Sequence, residues 1–182
     1  MIICFAGRVS SGKTTLSKAM ADALKWPRAS FGDYVRKEAR RQGLNESREV
    51  LQKIGASLVE DTDKFCNKVL DQVSWKSGQN LVIDGVRHSE ILGSLKRLAG
   101  PSEVFLIFVE TNEQTIRKRR VDKNTSGEDN LSDLEAHSTE REVTTALPTI
   151  ADLVVDGAHP LDILVQEMVA WLKSKNDEDS IL

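Results

Sequence analysis

Disulfide chemistry has almost no material in this chain. Its 182 residues include two cysteines, Cys4 and Cys66, too few for a disulfide scaffold or a four-ligand zinc site. Cys4 lies within an apolar run and reads as an inert core thiol. The histidines His88, His137 and His159 are scattered, without metal-ligand spacing. Aromatic residues make up 5%, and Trp26, Trp75 and Trp171 read as packing residues rather than a platform for stacked bases. A basic excess is also missing. Lys and Arg number 25 against 28 Asp and Glu, a net charge of −3, which argues against a protein that coats nucleic acid or an anionic membrane. No run reaches the ~18 consecutive apolar residues that span a bilayer. The opening Met1–Ala6 lacks a basic leader and gives way to glycine too soon for a secretory signal. The expectation is a cytoplasmic protein with no membrane or nucleic-acid partner.

What is present is a rhythm of apolar runs and amphipathic stretches. Ile2–Ala6, Asn80–Asp84, Val104–Val109 and Asp152–Asp156 have the pattern of strands buried on both faces of a parallel sheet, and Arg28–Phe31 is a shorter candidate. Helical spacing follows in Leu16, Met20, Ala23 and Leu24. It recurs in Val50, Leu51, Ile54, Leu58 and Val59 after Asn45, a good N-cap candidate. Ile91, Leu92, Leu95 and Leu98 form a stripe ended by Gly100-Pro101, and Ile163, Leu164, Met168 and Leu172 form another after Pro160. Strands alternating with helices imply βαβ units. The fold class expected is therefore α/β: three layers, α/β/α, around a five-stranded parallel sheet. One domain spans residues 1–175, with a short polar lid at about 117–131, and 176–182 form an acidic tail.

Gly7-Arg8-Val9-Ser10-Ser11-Gly12-Lys13-Thr14 satisfies G-x-x-x-x-G-K-[ST] at every fixed position, between a strand and a helix. Glycines let backbone N–H groups approach phosphate oxygens, and the helix adds the positive end of its dipole. Gly7, Val9, Ser10, Ser11, Gly12, Lys13, Thr14 and Thr15 are thus expected to hold ATP. Lys13 would bridge the β- and γ-phosphates, and the Thr14 hydroxyl would hold Mg²⁺.

Three other clusters fall near carboxyl ends of strands, where a second substrate would lie. In Ser30-Phe31-Gly32-Asp33-Tyr34-Val35-Arg36, Asp33 could orient or deprotonate an acceptor and Arg36 could grip its phosphate, or Asp33 could simply cap a helix. In Leu81-Val82-Ile83-Asp84-Gly85-Val86-Arg87, an aspartate after an apolar strand is placed to reach Mg²⁺, and Arg87 to point into the phosphate crevice. In Arg117-Lys118-Arg119-Arg120, two cations can face inward, and Arg117 and Arg120 are the pair expected to offset transition-state charge. Arg141 and His137 lie further along, Arg141 as a candidate for the acceptor.

These segments resemble the P-loop nucleoside monophosphate kinase family, including adenylate kinases and the related dephospho-coenzyme A kinases. Ser30–Arg36 looks like S-T-G-D-x-L-R, whose arginine binds the acceptor phosphate, and Asp84-Gly85-Val86-Arg87 is similar to D-G-F-P-R, one residue shorter. Val154-Val155-Asp156-Gly157 resembles the family's last strand and loop, which implies that Gly157 packs near the donor adenine. The chain departs from the family at its lid and lacks the D-x-D and V-P-L-L-x-E segments of dephospho-coenzyme A kinases. The resemblance implies transfer of the γ-phosphoryl group of ATP to a nucleoside or deoxynucleoside monophosphate by a monomer or homodimer. The alternatives are dephospho-coenzyme A or another metabolite as acceptor, and a nucleotide-dependent switch with little turnover.

Overall fold

Strand β1 (Ile2–Ala6) is wholly buried, and its alternate side chains supply both halves of the core. Ile2, Cys4 and Ala6 pack on one face of the sheet, Ile3 and Phe5 on the other. The remaining strands are β2 (Arg28–Ser30), β3 (Leu81–Asp84), β4 (Val104–Glu110) and β5 (Leu153–Asp156), all parallel, in the order β2-β3-β1-β4-β5. The computed structural model describes residues 1–122 and 138–179, with side chains described for 1–121 and 142–175.

Helices cover both faces. One face carries α1 (Lys13–Leu24), whose Leu16, Met20 and Ala21 pack against Ile3, Phe5 and Val82. Beside it lies α9 (Leu161–Asp179), through Leu164, Met168 and Leu172. The opposite face carries α2 (Phe31–Arg41), α3 (Arg48–Val59), α4 (Thr62–Leu70) and α5 (Ser89–Ala99), with Val143 of α7 (Ser138–Thr145) and Leu147 of α8 (Leu147–Ile150). Helix α6 (Glu113–Asp122) follows β4. The three-layer α/β/α arrangement expected from the sequence is therefore the observed one. Among the described residues no helix is long and apolar enough to cross a membrane.

Three local expectations are corrected, and one helix is found that no expectation covered. Helix α4 carries Phe65, Cys66, Val69 and Leu70 into the core, although its spacing was masked by the charged Asp63, Lys64 and Lys68 between them. Phe31 is already helical, because the Ser30 hydroxyl accepts the Asp33 N–H at 3.2 Å and starts α2 there. The cap position of α3 is Ser47, with the Asn45 amide oxygen accepting the Ser47 N–H at 3.0 Å from two residues before it. Strand β5 is not buried on both faces. It is an edge strand, with Val155 buried and Val154 47% exposed.

Asp152, just before β5, joins the sheet through its side chain. Its carboxylate accepts the Leu106 N–H at 2.7 Å, while its own N–H donates to the Leu106 carbonyl at 2.8 Å. Replacing Asp152 with Ala leaves the Leu106 amide without that acceptor. The Asp152→Ala variant should lose about 1–3 kcal/mol of stability in urea unfolding, and Asp152→Asn, which keeps an acceptor oxygen, should recover part of it.

Candidate active site

The crossovers place the site. β1 is flanked by β3 on one side and β4 on the other, so the chain leaves it at the point where strand order reverses, the usual position of a ligand crevice in an open α/β sheet. Residues 7–14 form the turn from β1 into α1. Its backbone needs two glycines for specific reasons. Gly7 has φ +148°, and a Cβ there would lie 2.6 Å from the Val109 carbonyl oxygen; Gly12, at φ +103°, is the N-cap of α1.

A loop that turns its N–H groups toward an anion must turn carbonyls outward, and these need donors of their own. The Ser11 carbonyl accepts from Thr111 Oγ1 at 2.9 Å and from Arg119 Nη1 at 2.7 Å. Arg119 Nη2 also donates to the Gly157 carbonyl at 2.6 Å. A Cβ on Gly157 would lie 2.6 Å from the Ser11 carbonyl oxygen, so the loop after β5 closes onto the phosphate loop only because residue 157 has no side chain. Lys13 Nζ donates to the Arg8 carbonyl at 3.0 Å.

Two cavities meet at Ser10, which lines both. The smaller, about 380 Å³, runs along Ser11–Leu16 to Arg119, Gly157, His159, Leu161 and Leu164. The larger, about 610 Å³, lies between the phosphate loop, α2, α3 and the exit of β3. Arg36, Arg48, Arg87, Arg120 and His88 line it together with one acid, Glu46; Phe31, Val35, Leu51, Val59, Phe65 and Ile91 give it apolar walls.

Beneath the loop lies an arginine that the motif reading passed over. Arg28 and Asp84 sit on the α1 face of adjacent strands, because Ser30 pairs with Asp84 in register. Arg28 Nη2 contacts Asp84 Oδ2 at 2.5 Å, Nη1 reaches Asp33 Oδ2 at 3.5 Å, and Nε donates to Ser17 Oγ at 3.1 Å. Ser17 in turn donates to the Thr14 carbonyl at 3.1 Å. Asp84 is 3% exposed, and its Oδ1 has no hydrogen-bond partner. A buried, unpartnered carboxylate oxygen and the exposed hydroxyl-bearing Thr14 are hard oxygen donors of the kind Mg²⁺ takes, so these residues fit the ion.

The site residues expected from the sequence divide as follows. Gly12, Lys13, Thr14, Thr15, Ser11 and Gly157 gather along the smaller cavity, and Val9, Arg36, Arg87 and Arg120 along the larger. Asp33 neither caps α2 with its side chain nor lines the cavity; it is 56% exposed and holds Arg36 Nη1 at 3.1 Å. Arg117 is not brought to the site, being exposed and paired with Glu113 at 3.3 Å one turn back. Its neighbour Arg119 takes the inward place. The phase of α6 is set by Ile116, its buried residue (2% exposed); Arg119 and Arg120, three and four residues on, flank that face, and Arg117 does not. Lys118 lines neither cavity. The side chain of Arg141, His137 and the lid beyond residue 122 lie outside the described residues.

A further contact ties the far wall. Glu142 of α7 accepts from the Ser89 N–H at 2.5 Å and from Ser89 Oγ at 2.6 Å, and lies 2.8 Å from His88 Nδ1. It caps α5 from another element. Burial alone would raise its carboxyl, but the hydrogen bonds from Ser89 and His88 outweigh that and hold it below the usual glutamate range.

The fold and the phosphate loop together define a P-loop protein with a three-layer α/β/α architecture. The chain belongs to the AAA domain family AAA_17, whose pattern matches residues 6–137. It is 28% identical to a UPF0200 protein of Aeropyrum pernix over 128 residues, 70% of this chain and 67% of that protein. Its fold is similar to that of a putative kinase from Chloroflexus aurantiacus (TM-score 0.66, 22% identity, 95% of this chain and 96% of that one). A shikimate kinase from Aquifex aeolicus shares it as well (TM-score 0.59, 17% identity, 97% and 98%).

Two outcomes follow from these contacts. Arg28→Met strands the buried Asp84 charge and should destabilise the protein by about 3–5 kcal/mol in denaturant unfolding; Arg28→Lys should fall between it and the wild type. Glu142→Gln should be less stable than the wild type by about 1–2 kcal/mol near neutral pH. Because the folded carboxyl lies below its unfolded value, its stabilisation is complete above the ordinary glutamate range and is lost as pH falls through the lower, folded value. Urea midpoints of the two proteins measured down a pH series should therefore converge in acid.

Proposed function

We propose that the protein is a phosphotransferase that moves the γ-phosphoryl group of ATP onto a nucleoside or deoxynucleoside monophosphate. The observation that carries this reading is the larger cavity. Among the described residues, four arginines against one glutamate suit an acceptor that is itself a phosphate ester, since guanidinium forks bind phosphate oxygens in pairs. The apolar walls from Phe31, Phe65 and Ile91 suit the flat ring that such an acceptor carries. A nucleotide-dependent switch has no need of a second, arginine-lined cavity opening onto the same loop. The named kinases that share this fold support phosphoryl transfer to a small acceptor.

Each chain residue then has a task. The loop N–H groups and Lys13 hold the donor phosphates, and Ser10, common to both cavities, marks where the transferring group lies. Arg36 and Arg87 fix the acceptor phosphate, and Asp33 sets the direction of Arg36 through their ion pair. Arg120 offsets charge on the equatorial oxygens as transfer proceeds. A loose phosphoryl-transfer transition state asks mainly for positioning and charge, so a strong base is not required. Thr14 and Asp84 would hold Mg²⁺, which supplies charge neutralisation at the β- and γ-oxygens when bound.

The test is ADP formation from ATP and Mg²⁺ with a panel of ribo- and deoxynucleoside monophosphates, dephospho-coenzyme A and shikimate. Stimulation by a nucleoside monophosphate, lost in Lys13→Ala, is the expected result. Arg36→Ala and Arg87→Ala should each raise the acceptor KM by about tenfold or more, with the ATP KM unchanged. Intact ATP binding with no stimulation by any nucleoside monophosphate would sink this reading.

A further inference from the structure

Gly55 is a glycine without a structural reason. Six of the described glycines adopt positive φ, Gly32 and Gly157 have atoms close to where a Cβ would sit, and a Cβ on Gly93 would make only an ordinary contact, 3.7 Å from Arg97 Nη1. Gly55 has neither feature: it lies in the middle of α3, and a Cβ built on it would meet nothing within 4 Å. Glycine in a helix interior is less favourable than alanine by about 1 kcal/mol. Packing therefore does not ask for glycine here, and helix formation disfavours it.

The space beside Gly55 is not bulk solvent. Residues 51, 52, 55, 56 and 59 recur at helical spacing and all line the larger cavity, so α3 presents this face to the acceptor rather than to the sheet. Within α3 only Ile54 is buried. Of the cationic groups in the cavity wall, Arg36 and Arg87 come from α2 and the β3 exit, and α3 contributes Arg48 only at its first residue, two turns before Gly55. An acceptor whose phosphate lies between Arg36 and Arg87 extends its remaining, apolar part toward α3.

We infer that Gly55 is the size-determining position for the acceptor: its missing side chain leaves room for the ring system, so the protein accepts a ring-bearing phosphate ester up to the size of a purine nucleotide. Gln52, one turn before it on the same face, is the polar side chain placed to meet the ring edge. This inference rests on the acceptor role given to the cavity above.

The experiment compares Gly55→Ala, Gly55→Leu and Gly93→Ala with the wild type, in thermal unfolding and in steady-state kinetics with purine and pyrimidine monophosphates. Gly93 is also helical but lines neither cavity, so Gly93→Ala reports helix propensity alone. Both alanine variants should raise Tm by about 2–4 °C. Gly55→Leu should raise the KM for purine monophosphates at least about tenfold and for pyrimidine monophosphates less, with the ATP KM unchanged. Gly55→Ala should shift the purine KM about two- to threefold in the same direction, and Gly93→Ala should not shift it. A folded Gly55→Leu protein with wild-type acceptor KM values overturns the inference. Should that variant not fold, an unshifted purine KM in Gly55→Ala overturns it equally. If the wild type is stimulated by no monophosphate at all, the kinase reading fails and this inference with it; stimulated wild type with an indifferent Gly55→Leu leaves the kinase reading standing.

Discussion

The carbonyl of Ser11 holds the site in shape. A phosphate loop works by pointing amide hydrogens at one place, and the peptide plane then forces neighbouring carbonyls the other way. Left without donors in a partly buried turn, such a carbonyl would favour a different loop conformation. Here it takes two hydrogen bonds, from Thr111 after β4 and Arg119 on α6, while Gly157 after β5 comes within contact distance. Two segments, the connection after β4 and the loop after β5, thus converge on one oxygen. The order of the sheet, with β4 and β5 on the same side of β1, makes that convergence possible.

On the other side of β1 the organising contact is ionic. Arg28 links two carboxylates with different proposed partners, Asp84 toward the metal and Asp33 toward the acceptor arginine, and it links both to α1 through Ser17. Buried charges are tolerated only with such partners. The cation also keeps two acidic groups near each other without mutual repulsion dominating. The wall opposite is fixed by Glu142, which satisfies donors at the start of α5 that α5 cannot satisfy itself.

Much of this was legible in the chain. The loop motif, the strand runs and Asp84-Gly85-Val86-Arg87 could be read because each is local: a few consecutive residues of fixed type determine a turn or a buried strand. The face of α6 was harder. Four cations in a row carry no phase, and only Ile116 reveals that Arg119 rather than Arg117 turns inward. Arg28 and Glu142 gave no signal, since their partners lie 56 and 54 residues away along the chain and depend on strand register and helix docking. Helix α4 was hidden for the opposite reason: its apolar residues are adjacent in pairs and interrupted by charge, which blurs the period.

The two cavities share one residue, Ser10, and are otherwise built differently. The smaller depends on the backbone of the phosphate loop, held by contacts to main-chain oxygens at Ser11 and Gly157. The larger is lined by side chains of α2 and α3 together with the β3 exit, Phe65, Ile91 and Arg120. Among the described residues only Ser10 lines both, so a change in the loop reaches both cavities, while Arg36, Leu51 and Gln52 line the larger alone. Under the proposed function, the specificity of the molecule and its grip on the nucleotide are thus written in different parts of the chain, which join at one serine.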